Sequence, residues 1–136
     1  MPAWTPGVVR GNTWYLADDN HVVTTTLQFG SATDFPIAGD WDGDGTFTPG
    51  VVRGNVWYLK ANNTAGNNAL EVPAFAFGSS TDFPIVGDWD GDGDVEAGVI
   101  RGNVWFLADA SPPGGATSFA FGTATDFPIV GDWDGP

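Results

Sequence analysis

Residues 29–59 read FGSATDFPIAGDWDGDGTFTPGVVRGNVWYL, and residues 77–107 read FGSSTDFPIVGDWDGDGDVEAGVIRGNVWFL. Without a gap, 23 of 31 positions agree at an offset of 48. The second half of the module stands again at residues 5–16 (TPGVVRGNTWYL) and its first half at residues 121–134 (FGTATDFPIVGDWD), at offsets of 43 and 44. A third copy is therefore divided between the two ends of the chain. Periods of this size belong to propeller blades and to helical arrays. Twenty glycines, ten prolines and short β-branched runs decide for strands.

Each repeat parses into four short strands. The first is PIxGDW, at 36–41, 84–89 and 128–133. The second is GVVR or GVIR, at 7–10, 50–53 and 98–101, and a Gly-Asn pair then makes a two-residue hairpin turn. The third is TWYL, VWYL or VWFL, and a variable loop leads to a fourth that ends in Phe-Gly at 29–30, 77–78 and 121–122. Strands two and three are apolar on both faces, as expected of sheets sandwiched between neighbours. The expected fold is all-β: four-stranded antiparallel blades packed face to face, a β-propeller.

On this parse, residues 1–35 supply strands two to four of one blade. Residues 36–83 and 84–127 form two complete blades, and 128–136 begin the next. An open arc of three blades leaves two apolar faces and a bare strand edge. Association relieves both, with the last strand of one chain completing the first blade of another. The expected partner is the chain itself, as a homodimer of six blades or a homotrimer of nine.

The stretch between strands one and two carries the chemistry. Asp40, Asp42 and Asp44 alternate with Trp41 and Gly43, and Asp88, Asp90 and Asp92 repeat the pattern. Carboxylates at positions 1, 3 and 5 aim several oxygens at one hard cation, and calcium is the expected ion. Position 12 is Val51 or Val99, so this is no EF-hand. Position 9 is Thr48 in the first loop and Glu96 in the second, which makes the second richer in ligands. The third copy offers Asp132 and Asp134. The competing reading is a plain turn whose aspartates bond nearby backbone.

Trp41, Trp89 and Trp133 end the first strands and are the candidate platforms for a glycan. The competing reading for them, and the leading one for Trp14, Trp57 and Trp105, is packing between blades. Arg10, Arg53 and Arg101 share one repeat position, which predicts a repeated pairing with a carboxylate or an aromatic ring. Asp34, Asp82 and Asp126 read as turn residues between blades. His21 stands alone in a variable loop and reads as a surface residue.

Composition closes off several classes. With 17 acidic side chains against 4 basic ones and a net charge of −13, the chain would repel a nucleic-acid backbone. No apolar run is long enough for a membrane helix, and no signal peptide is expected at its start. The absence of cysteine removes disulfides and thiolate chemistry. No nucleophile–base pair stands out, so the chain is read as non-catalytic.

With Phe-Gly closing one blade and Asp-x-Asp-Gly-Asp-Gly opening the next, the chain resembles the FG-GAP/VCBS repeat propellers. These include integrin α-subunit propellers and a seven-bladed fungal lectin of the Psathyrella velutina type. The resemblance implies calcium on Asp40, Asp42, Asp44, Asp88, Asp90 and Asp92, and an extracellular setting. Thr48 departs from the aspartate often found at position 9 in that family. Members usually carry a whole ring in one chain, so three blades suggest an excised, engineered or ancestral-like segment that assembles into a ring. The expected function is a self-assembling scaffold with structural calcium, and the alternative is a lectin with glycan sites between blades.

Overall fold

The computed structural model describes residues 4–63 and 74–133. They form an all-β chain of eleven strands in three antiparallel sheets. The first sheet has three strands: β1 (Gly7–Arg10), β2 (Thr13–Ala17) and β3 (Val23–Gln28). The second has four: β4 (Phe35–Gly39), β5 (Thr48–Arg53), β6 (Val56–Leu59) and β7 (Phe75–Ala76). The third repeats it with β8 (Phe83–Gly87), β9 (Glu96–Arg101), β10 (Val104–Ala108) and β11 (Ala116–Ala120). Each sheet is a meander in which sequence neighbours pair. Among the described residues no helix is long and apolar enough to cross a membrane.

The strand expected at 128–133 is not one. Residues 127–133 form no ladder, because the described residues offer them no partner. Among the described residues the only second strand without a first strand beside it is β1, which belongs to the other end of the stack, and no described strand pairs with its outer edge.

The local geometry repeats where the sequence repeats. Gly11, Gly54 and Gly102 take φ of 63°, 64° and 62°, the left-handed backbone that a two-residue hairpin needs. The asparagine after each glycine has a role that sequence reading missed. Asn12, Asn55 and Asn103 each donate Nδ2–H to the carbonyl of the glycine in Phe-Gly, at 3.1–3.2 Å. Their own carbonyls accept the N–H of Phe29, Phe77 and Phe121 at 2.9 Å. The third-strand tryptophans Trp14, Trp57 and Trp105 donate Nε1–H to the carbonyls of the same phenylalanines. Phe-Gly is thus a clamp between strands three and four. From Phe29 to Leu59 and from Phe77 to Leu107 the spacing is 30 residues, and all length variation falls between the third strand and the next Phe-Gly.

The sheets stack in chain order. Trp14, Leu27 and Phe29 of the first pack against Val51 and Tyr58 of the second. On the opposite face of the second sheet, Ile37, Trp57 and Leu59 pack against Val95, Ala97 and Val99 of the third. Trp57 and Leu59 are fully buried. Each tryptophan face looks toward the next sheet, and among the described residues no sheet covers the Trp105 face of the third. There Phe119 and Phe121 are 42% and 70% exposed. The first strands lie side by side, with the rings of Phe35, Phe83 and Phe127 in an edge-to-face row at 5.7 and 6.3 Å.

Candidate metal centre

The two complete Asp loops fold alike. In the first, the Asp40 carboxylate accepts the N–H of Asp44 at 3.1 Å and of Gly45 at 2.8 Å. Asp42 accepts Asp44 N–H, and Asp44 accepts Thr46 N–H. In the second, Asp88 accepts from Gly91, Asp92 and Gly93 at 2.8, 3.1 and 3.0 Å. Asp90 accepts from Asp92, and Asp92 from Asp94. Backbone N–H groups thus wrap the first carboxylate and bend the loop so that the later ones converge.

Convergence is close. One oxygen from each of Asp88, Asp90, Asp92 and Glu96 lies within 4.8 Å of the others, and the same holds for Asp40, Asp42 and Asp44. Three or four carboxylates with no nitrogen or sulfur donor suit a hard divalent cation. The two loops are neighbours, since Val95, just after the second, donates its N–H to the Asp40 carbonyl at 2.7 Å.

The electrostatics record the crowding. Glu96, 2% exposed, is pushed up to about 7, first by burial and further by the nearby aspartates. Its carboxylate accepts the Trp89 N–H, at 3.2 Å to Oε1. Asp90 and Asp94 are both raised, chiefly through their shared contacts with Asp92, which is itself lowered. Asp42 is also raised, through desolvation and then its neighbours. A bound cation relieves this repulsion, which is the physical reason the donor set fits one.

The loops are not equal. Thr48, at the position of Glu96, is buried, and its hydroxyl turns away to donate to the Lys60 carbonyl. Lys60 is itself fully buried, with its ammonium donating to Asn62 Oδ1 at 3.2 Å. The first loop therefore has three carboxylates and the second four. Of the third copy, Asp132 is exposed and joins no cluster among the described residues, and Asp134 lies outside them.

The first-strand tryptophans serve the same fold. Trp41 is 5% exposed; its ring lies on Gly39 and Gly50, and its Nε1–H points to the Pro49 carbonyl. Half-buried Trp89 lies on Gly87 and Gly98 and donates to the Ala97 carbonyl at 2.9 Å. A Cβ on Gly87 would come within 2.4 Å of that ring. Trp133 is 74% exposed.

All three repeated arginines stack on a ring, Arg10 on Tyr15 at 5.0 Å, and two of them also hold a carboxylate. Arg53 grips Asp34, and Arg101 grips Asp82, through two parallel N–H···O bonds of 2.8–2.9 Å. Their guanidinium groups stack on Tyr58 and Phe106 at 4.9 and 4.8 Å. Asp34, Asp82 and Asp126 also cap their turns by accepting the N–H of Ser31, Ser79 and Thr123. His21 lies exposed in its loop with φ of 65°.

No family model matches the chain, and no curated protein or solved structure does either.

Proposed function

We propose that the chain is a non-catalytic β-propeller module that assembles with copies of itself and holds calcium structurally in its Asp loops. One observation carries the reading. The first sheet stops one strand short, while residues 127–133 repeat the sequence of β4 and β8 and pair with nothing among the described residues. A second copy supplies what each end lacks, and a closed ring of two or three chains leaves no end uncovered. Calcium suits this role because each Asp loop joins the first strand of a sheet to its second, so an ion there ties the two strands together. An extracellular setting goes with this reading, since extracellular modules hold calcium with dissociation constants of about 10⁻⁴–10⁻³ M.

Light scattering coupled to gel filtration, with calcium and after chelation, tests the proposal. The expected result is a single species of two or three chains whose melting temperature falls on chelation. A monomer at every concentration rejects the assembly. No melting shift with millimolar calcium leaves the Asp loops as turns.

One observation favours the glycan-binding alternative. Trp133 presents an open indole face, as sugar-binding sites do. In an assembled ring that ring would be covered as Trp41 is, so the two readings compete for one residue. Binding on a glycan array that is lost in Trp133→Ala would establish the lectin. Silence across the array leaves the scaffold.

A further inference from the structure

We infer that Arg10 of one copy grips Asp126 of the next, and that this ion pair latches residues 127–131 onto the bare edge of β1 in a single register. The inference rests on the proposed self-association and fixes its geometry.

Inside the chain the same device occurs twice. Arg53 and Asp34 are 19 residues apart, as are Arg101 and Asp82, and in each pair the carboxylate is buried beneath the guanidinium with its side chain 1% exposed. Each pair joins the turn before a first strand to the end of the second strand beside it. Two half-pairs remain. Arg10 stacks on Tyr15 at 5.0 Å, as its counterparts stack on their rings, but no carboxylate meets it among the described residues. Asp126 caps its turn through Thr123 N–H at 2.8 Å, as its counterparts do, but no guanidinium meets it among the described residues. Half of the latch is formed at each end of the chain.

The strand partners show the same complementarity. In the second sheet Phe35 faces Val52, Pro36 faces Val51 and Ile37 faces Gly50. In the third sheet Phe83, Pro84 and Ile85 face Ile100, Val99 and Gly98. Carried across by the repeat, Phe127 faces Val9, Pro128 faces Val8 and Ile129 faces Gly7 of the next copy. The exposures fit: Ile129 is 66% exposed where Ile37 and Ile85 are 9% and 8%, and Val8 is 57% exposed where Val51 and Val99 are both 3%. Phe127 already continues the row of phenylalanines from Phe83 at 6.3 Å, so the segment leaves the third sheet at the position a further first strand takes. The contact is head-to-tail, the Trp105 face of one copy meeting the Val8 and Tyr15 face of another. Such contacts close into rings.

The chain has no cysteine, so an engineered pair reads the register without background. Val8→Cys with Pro128→Cys places two thiols on opposed positions, and Val9→Cys with Pro128→Cys places them one residue out of register. Under mild oxidation the first pair should yield a reducible covalent oligomer and the second should not. Arg10→Glu should raise the dissociation constant at least about tenfold, through loss of the bidentate pair and repulsion by Asp126. Arg10→Lys should recover part of that loss. Circular dichroism confirms that each variant is folded. If the chains associate but the aligned thiols do not join, or Arg10→Glu binds within about twofold of the parent, the latch is wrong and self-association stands. If the parent is monomeric throughout, both fall together.

Discussion

Arg101 and Asp82 lie 19 residues apart, yet the guanidinium meets both carboxylate oxygens at 2.9 Å from one side while Ser79 N–H meets the same carboxylate at 2.8 Å from the other. Asp82 is held down to about 2, first by Arg101. A carboxylate lowered in the folded state stabilises the fold above its unfolded value of 3.8, and that contribution is lost as pH falls toward 2. Asp82→Asn should therefore lower the melting temperature at pH 6, with a cost of about 1–2 kcal/mol because the guanidinium side is half exposed. The difference from the parent should shrink steadily below pH 3.8 and be mostly gone by about pH 2. Thermal melts between pH 2 and pH 6 check this.

Glu96 works in the opposite sense. Its carboxyl is raised from 4.5 to about 7, so without metal the folded protein keeps a proton that the unfolded chain releases. Stability without metal should then fall as pH rises from about 4.5 to about 7. A cation must displace that proton, so calcium affinity at the second loop should weaken below pH 7 by up to about tenfold per unit. Glu96→Gln should remove this pH dependence and lower the affinity. Calorimetric titration with calcium at several pH values measures both.

The two loops should separate by affinity. Asp88→Ala should abolish the tighter calcium event and Asp40→Ala the weaker one, because Glu96 supplies the second loop with a fourth carboxylate where Thr48 faces the backbone. Terbium, bound in place of calcium and excited through Trp89 and Trp41, resolves the two by luminescence. Equal losses from the two variants would contradict the difference between the loops.

Gly87→Ala tests the tryptophan seat. A methyl group there would come within 2.4 Å of the Trp89 ring, so the indole must lift from the strand. The expected cost is about 1–3 kcal/mol, in line with overpacking elsewhere. Fluorescence from Trp89 should shift to the red. Gly91→Ala makes a poor control, since Gly91 has positive φ; Ala110→Gly, on an exposed loop, should change melting by little.

Much of this was legible in the repeat. The strands at GVVR and GVIR, the Gly-Asn turns and the Asp loops stand where the pattern predicts, because each depends on local backbone and short-range hydrogen bonds. The acidic cluster was legible for the same reason, as alternation alone brings Asp88, Asp90 and Asp92 together. What a single copy could not disclose was pairing across it. Asn12, Asn55 and Asn103 read as simple turn residues, yet their side chains hold the Phe-Gly corner of a strand 18 to 23 residues on. The buried Lys60 occupies a position filled by alanine in the other two copies, and nothing in its local sequence signals burial. The strand predicted at 128–133 fails in the chain by itself because a strand is a relation between two segments, and its sequence states only one side.

The constant 30-residue frame from Phe-Gly to the end of the third strand has a further consequence. Between that strand and the next Phe-Gly the three copies differ in length, yet the Asn and Trp clamps around Phe29, Phe77 and Phe121 close in the same way. The Phe-Gly corner is therefore built the same way whatever the loop length, while the fourth strand before it varies from the two residues of β7 to the six of β3. Lengthening a loop costs only about 0.6 kcal/mol for each doubling. A foreign peptide spliced between Ala110 and Gly114 would give up the Asp109 turn but leave the clamp at Phe121 to close as it does after loops of other lengths, which makes the fold a carrier as much as a structure.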